Sequence, residues 1–165
     1  MTYINAGSED GGCIFCAYPA AARDEDYYIL YRSQHCFVML NIYPYNNGHL
    51  MIAHYQHAAS IEQLDLETLS DLMETAQRCL RAFHIAMQPH GFNMGINQGK
   101  VAGAGIADHV HFHIVPRWNG DTNFMPVLAD TKVMPDYLRN TYQQLRQAFA
   151  SIESNPLPDK QTPER

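Results

Sequence analysis

Three features of the sequence predict an α+β domain with a mainly antiparallel sheet. Short aromatic and β-branched runs read as strands, about five in all. A long segment from about Leu64 to Met87 carries the helical period, and a second helical stripe starts near Pro135. The 165 residues suit one domain with a substantial core. That domain is expected over 13–153. Residues 1–12 are small and polar, and residues 154–165 place Pro156, Pro158 and Pro163 among charged side chains, so both ends are expected to be flexible.

In chain order, Tyr27 to Tyr31 and Cys36 to Ile42 form a hairpin pattern, with Arg32-Ser33-Gln34-His35 as the turn between them. After Pro44 and the turn-like Asn46-Asn47-Gly48, His49 to Ala53 reads as a third strand. In the long helix Leu69, Leu72, Met73, Ala76, Leu80, Phe83 and Met87 recur at steps of three and four. Ser60 and Gln63 fit a capping box at its start, and Pro89 and Gly91 end the segment. Phe92 to Asn97 reads as a strand, 99–105 as a glycine-rich loop and His109 to Pro116 as another strand. The last helix aligns Leu138, Thr141, Leu145, Ala148 and Ile152 on one stripe.

Composition removes several function classes. A formal charge of −6 leaves no broad basic face for a nucleic-acid backbone. No apolar run approaches the ~20 residues of a membrane span, and the start lacks the blocks of a signal peptide, so a cytoplasmic location is expected. Four cysteines are too few for a secreted disulfide framework. Nine histidines matter more, because imidazole titrates near neutral pH and is a common metal ligand.

The histidines concentrate in His109-Val110-His111-Phe112-His113-Ile114-Val115-Pro116. In a strand, alternate side chains take opposite faces, so the three imidazoles share one face and Val110, Phe112 and Ile114 share the other. One histidine on a strand needs no function, but three on one face leave three polar rings to satisfy. The preceding loop supplies Gly103 and Gly105, where backbone N–H groups can converge on an anion without a Cβ in the way. It is not the nucleotide-binding loop that closes on Gly-Lys-Ser/Thr. Phosphate is the natural guest of such a loop.

Cys13-Ile14-Phe15-Cys16 is a two-residue-spaced pair that by itself fits metal, redox chemistry or chance. A redox pair should open a helix after a strand with a lowered thiol pKa. The neighbouring Gly11-Gly12 and Pro19 do not suggest that setting. His49 reads equally as a surface or a site residue. Asn41 fits the end of a strand and Asn97 fits turn chemistry. Trp118, the single tryptophan, fits either a subunit interface or a cleft.

The histidine strand resembles the His-φ-His-φ-His-φ-φ signature of the histidine triad (HIT) nucleotide hydrolases and transferases. The continuation from Pro116 through Arg117-Trp118-Asn119-Gly120-Asp121 to Pro126 is similar to the bacterial branch related to diadenosine tetraphosphate phosphorylases. The chain departs from the dinucleoside triphosphate hydrolase branch, which carries a Gln where this chain has Gly105. The resemblance implies a HIT-like fold and a dinucleoside polyphosphate substrate cleaved at the α-phosphate. It implies that His111 is the nucleophile and forms a nucleotidyl-histidine, with phosphate or water as acceptor. It places His113, His49, Asn97, Gly103 and Gly105 on the phosphates, and Asn41, Ile42 and Trp118 on the nucleoside. It further implies a structural zinc held by Cys13, Cys16, His57 and His109, with His54 as a substitute for His57, and a homodimer joined sheet to sheet. Four protein ligands would leave that zinc no catalytic position. The competing functions are a nucleoside phosphoramidate or adenylyl-sulfate hydrolase, a nucleotide-binding protein without turnover, and a metalloenzyme with a metal on His109, His111 and His49.

Overall fold

The computed structural model describes residues 12–121 and 135–154. The expected flexible ends, apart from residues 12 and 154, lie outside them, as does the motif from Thr122 to Pro126. Three α-helices and five strands are described: α1 Ile14–Ala20, β1 Ile29–Arg32, β2 Cys36–Leu40, β3 Leu50–His54, α2 Leu66–Ala86, β4 Gly91–Ile96, β5 His111–Arg117 and α3 Pro135–Ser154. The sheet runs β1-β2-β3-β5-β4, and every neighbouring pair is antiparallel. The α+β fold therefore stands as expected.

Strand boundaries moved for local reasons. Tyr28 has φ +55°, so β1 starts at Ile29 rather than Tyr27. β2 stops at Leu40 because the Asn41 side chain takes over, accepting the Tyr43 N–H at 2.9 Å. Val38, Leu40, Leu50, Ile52 and Ile114 point into a core with α2 and α3. The alternate residues Phe37, Met39, Met51 and Ala53 join Phe15 of α1 on the other face. β2 and β3 are buried on both sides, so their sequences read as continuous apolar runs.

The period of α2 was legible but its phase was not. Thr68, Leu72, Thr75, Ala76, Cys79, Ala82 and Phe83 are buried, whereas Met73 is 52% exposed. The buried stripe is rotated toward smaller side chains. The Ser60–Gln63 box exists but caps a single 3-10 turn, Ile61–Gln63. The cap of α2 is Asp65, whose carboxylate accepts the Thr68 N–H at 2.7 Å.

The two edges of the sheet differ. On β1, Tyr142 Oη and Arg146 of α3 donate to the carbonyls of Ile29 and Leu30 at 3.1 and 2.7 Å, which covers that edge. β4 forms the opposite edge. The turn before β3 is held by Gly48, with φ +78° and only 3.0 Å from an ideal Cβ to Met87 Sδ. Any other residue there meets both backbone strain and α2.

Candidate functional site

β5 starts at His111 because its pairing with β3 ends at Ala53↔His111. The sequence reading began that strand at His109. Beyond the end of the ladder the side chain replaces the backbone: His109 Nε2 lies 3.0 Å from the His54 carbonyl, and Val110 N–H donates to Ala58 O at 2.8 Å. The rings still gather on one side of the sheet. Phe15 touches both His109 and His111, with ring centroids 5.2 and 4.6 Å away. His111 and His113 lie 4.7 Å apart, and His49 and Tyr45 continue the file at 5.0 and 4.7 Å.

Neighbouring groups fix the protons. His111 Nδ1 lies 2.9 Å from the His109 carbonyl. A carbonyl only accepts, so Nδ1 carries the hydrogen and Nε2 keeps its lone pair. His49 Nδ1 accepts the Tyr45 N–H at 3.1 Å, so its Nε2 is protonated and donates to His113 Nδ1 at 2.9 Å. His113 is left with Nε2–H as its free donor. Asn41 reinforces the arrangement: its Oδ1 is occupied by Tyr43 N–H, which turns Nδ2 toward His49 Nδ1 at 3.3 Å.

Burial keeps these rings neutral. It lowers the His49 pKa to about 3, helped by His113 and His111, and the His113 pKa to about 4, helped by His111. His111 is also lowered by burial, against the opposing hydrogen bond to the His109 carbonyl. Near pH 7 the file therefore offers one imidazole lone pair and one imidazole N–H donor without positive charge.

Other candidates take more varied positions. Asn97 follows β4, one residue beyond the Ile96↔Phe112 pair that ends its ladder with β5. Gly103 is a left-handed cap of the 3-10 turn Lys100–Ala102, and its N–H is committed to Lys100 O at 3.1 Å, unlike the free amide expected there. His49 is fully buried with both nitrogens engaged, and Asn41 is 2% exposed with both ends of its amide engaged. Both side chains are thus held by internal hydrogen bonds, and the Asn41 amide keeps a second N–H beyond them. Ile42 is half-buried in the loop after β2, and Trp118 is half-buried after β5.

The Cys13–Cys16 segment opens α1, with Cys13 as the N-cap and Pro19 inside the helix, so it shares the helix-opening part of the redox setting that Gly11-Gly12 and Pro19 did not suggest. Ligand atoms of Cys13, Cys16, His57 and His109 all lie within 4.8 Å of one another. Sγ of Cys13 and of Cys16 are 3.3 and 3.6 Å from His109 Nδ1, and Cys16 Sγ is 3.4 Å from His57 Nδ1. A tetrahedral ion with bonds of about 2.3 Å to sulfur and about 2.0 Å to nitrogen places sulfur and nitrogen about 3.5 Å apart. The donor set fits such an ion. The His54 carbonyl holds His109 Nε2–H, so Nδ1 faces the sulfurs as a ligand must. His54 itself stands outside the set, its ring stacked on His109 at 4.5 Å. Burial and the neighbouring Cys13 raise the Cys16 thiol, the reverse of a redox nucleophile.

Sequence reasoning missed three residues. Phe15 was hidden inside the cysteine motif. Tyr45 acts through its backbone, for which there is no side-chain signal. Asp121 binds Arg117 twice at 2.7 Å, accepts Asn46 Nδ2 at 2.8 Å and accepts the Trp118 N–H at 2.9 Å. The Arg117/Asp121 spacing across the Asn119-Gly120 turn was a usable signal for that hub.

A five-stranded antiparallel sheet presenting a file of imidazoles along one strand defines the histidine triad class of proteins. The chain belongs to the HIT domain family, whose model matches residues 22–120. It is 41% identical over 128 residues to the AP-4-A phosphorylase of Mycobacterium tuberculosis. That match covers 77% of this chain and 65% of the relative, so the chain spans slightly under two thirds of that protein's length. It is 32% identical over 108 residues to the adenosine 5'-monophosphoramidase HNT1 of Saccharomyces cerevisiae, covering 66% of this chain and 64% of HNT1. A Zn-bound histidine triad family protein from Mycobacterium smegmatis superposes with a TM-score of 0.71 at 28% identity, covering 87% of this chain and 96% of that one.

Proposed function

We propose that the chain is a nucleotidyl-transferring enzyme that cleaves dinucleoside polyphosphates at an α-phosphate, with His111 as the nucleophile. The observation that carries this reading is the His111 ring itself: Nδ1 is tied to the His109 carbonyl at 2.9 Å, and Nε2 keeps its lone pair beside the His113 N–H donor. In the first step the Nε2–P bond forms and the P–O bond to the leaving polyphosphate breaks, with the neutral His113 Nε2–H hydrogen-bonding the leaving oxygen as it gains charge and keeping its own proton. The His109 carbonyl stabilises the charged ring that results. In the second step an oxygen of phosphate or water attacks, the N–P bond breaks and His111 leaves as neutral imidazole. From diadenosine tetraphosphate the first step releases ATP. The second yields ADP with phosphate or AMP with water.

The resemblance to AP-4-A phosphorylase favours phosphate as the acceptor, and Asn97 and the Gly105 amide are the proposed phosphate contacts. Ile42 and Trp118 are the proposed nucleoside contacts. A nucleoside phosphoramidate is the second substrate class, favoured by the likeness to HNT1. We assign zinc to Cys13, Cys16, His57 and His109, where the ion would fasten the N-terminal segment to the sheet. The β4 edge, with Met94 41% exposed, supports joining of two sheets in a homodimer.

Product analysis with diadenosine tetraphosphate, with and without inorganic phosphate, tests the reading. ADP formed only with phosphate is the expected result. Absence of any acid-labile adduct in the unmutated protein overturns the covalent route.

A further inference from the structure

A single hydrogen bond does not fix an imidazole. Held at Nδ1 by the His109 carbonyl, the His111 ring can still tilt about that bond, and a nucleophile that tilts loses its line to phosphorus. The second restraint is aromatic packing. Phe15 lies against His111 with centroids 4.6 Å apart and planes at 43°, and against His109 at 5.2 Å. A nucleophilic lone pair lies in the ring plane, so a group packed against the ring restricts tilt while leaving Nε2 open. Phe15 is fully buried and stands between the two cysteines of the metal-type donor set. α1, its helix, has seven residues, too few to be stable alone.

We propose that Phe15 is a positioning residue for the His111 imidazole, and that the Cys13–Cys16 knuckle holds Phe15 in place. His109 makes the second link. Its side chain joins the donor set while its carbonyl orients His111. The metal-type site thus restrains the nucleophile through two independent contacts, without touching any ligand of the cleft. This inference rests on the reading of His111 as the nucleophile.

The test uses the zinc-loaded 165-residue chain and its Phe15→Leu variant, with diadenosine tetraphosphate in single turnover. Phe15→Leu keeps its bound zinc and leaves KM within about twofold, while adduct formation slows about tenfold, the scale of a slightly misplaced reacting group. An unchanged adduct rate with zinc retained overturns the proposal. Because Phe15→Leu can fail to fold, the His111 ring signal of the unmutated chain is also followed by NMR while zinc is withdrawn with a chelator. The signal is expected to broaden as the ring loosens, and a signal that stays sharp after zinc is lost overturns the proposal. A wild-type chain that forms no adduct refutes the nucleophile reading instead, and the ring signal still decides the positional link.

Discussion

His49 Nε2 stands 2.9 Å from His113 Nδ1, and His49 has no exposed surface. In the proposed reaction its influence therefore passes through His113, whose proton it places on Nε2. Replacing His49 with Leu removes the donor and frees His113 to take either tautomer. kcat is expected to fall about a hundredfold, the worth of one preorganised hydrogen-bond donor to developing charge, with KM little changed. Gln retains an N–H donor of similar reach, so His49→Gln should recover a measurable part of kcat. Equal kcat values for the Leu and Gln variants would exclude the relay.

Stability should weaken in acid because of the same rings. His49 and His113 have folded pKa values lowered to about 3 and about 4, below the ordinary 6.5 of the unfolded chain. Below pH 6.5 the unfolded chain binds protons that the folded chain refuses, so stability is intact above that pH and declines toward pH 4. Each such group contributes a slope of up to about 1.4 kcal/mol per pH unit. Urea unfolding between pH 7 and pH 4.5 should show this decline, and His49→Gln should flatten it. A wild-type profile that is level across that window would contradict the neutral buried rings.

The sequence made the chemical strand legible because alternation is a property of the backbone: His111 and His113 had to share a face whatever surrounded them. Where β5 begins was not legible, because it depends on where its partner β3 stops. The two candidate histidines at and beyond the end of β3 could not be separated by spacing either. His54 still belongs to β3 and stacks on His109, whereas His57, beyond the strand end, reaches the sulfurs. Helix α2 shows the same limit, since the apolar period gives a stripe but not which side of it closes on the sheet. Met73 fits the stripe and yet faces solvent, displaced by Thr75 and Cys79. Asn41 and His49 were recognised by position, but their hydrogen bonds to one another and to loop amides are tertiary facts.

Zinc should be bound at one ion per chain by Cys13, Cys16, His57 and His109. Cys13→Ser is expected to lose the ion, whereas Cys36→Ala, at a buried cysteine outside the set, is expected to keep it. A site filled at a thousand times its Kd stabilises the fold by about 4 kcal/mol, so chelation should lower Tm by about 10 °C in a domain of this size. Metal analysis and calorimetry on the same samples check both statements. A chelator that leaves Tm unchanged would contradict the stabilising role.

Asp121 offers a test that the composition makes unusually clean, because Trp118 is the single tryptophan. The Asp121 carboxylate collects Arg117, Asn46 and the Trp118 amide. It thereby clasps the loop that carries Tyr45 and His49 to the end of β5. Asn46 adds a second tie through the Pro116 carbonyl at 3.1 Å, so the clasp joins chain segments on both sides of the imidazole file. In Asp121→Ala, Arg117 and Asn46 lose their shared acceptor and the turn holding Trp118 loosens. Tryptophan emission should shift to the red, and on the proposed function KM for diadenosine tetraphosphate should rise more than kcat falls, since the clasp holds the proposed nucleoside contact Trp118 and does not touch His111. Asp121→Asn keeps one acceptor oxygen for the Trp118 amide but loses the charged pair with Arg117, and should lie between wild type and Ala in both measurements. An unshifted emission maximum in the Ala variant would mean that Trp118 is placed by other contacts and that Asp121 only decorates the turn.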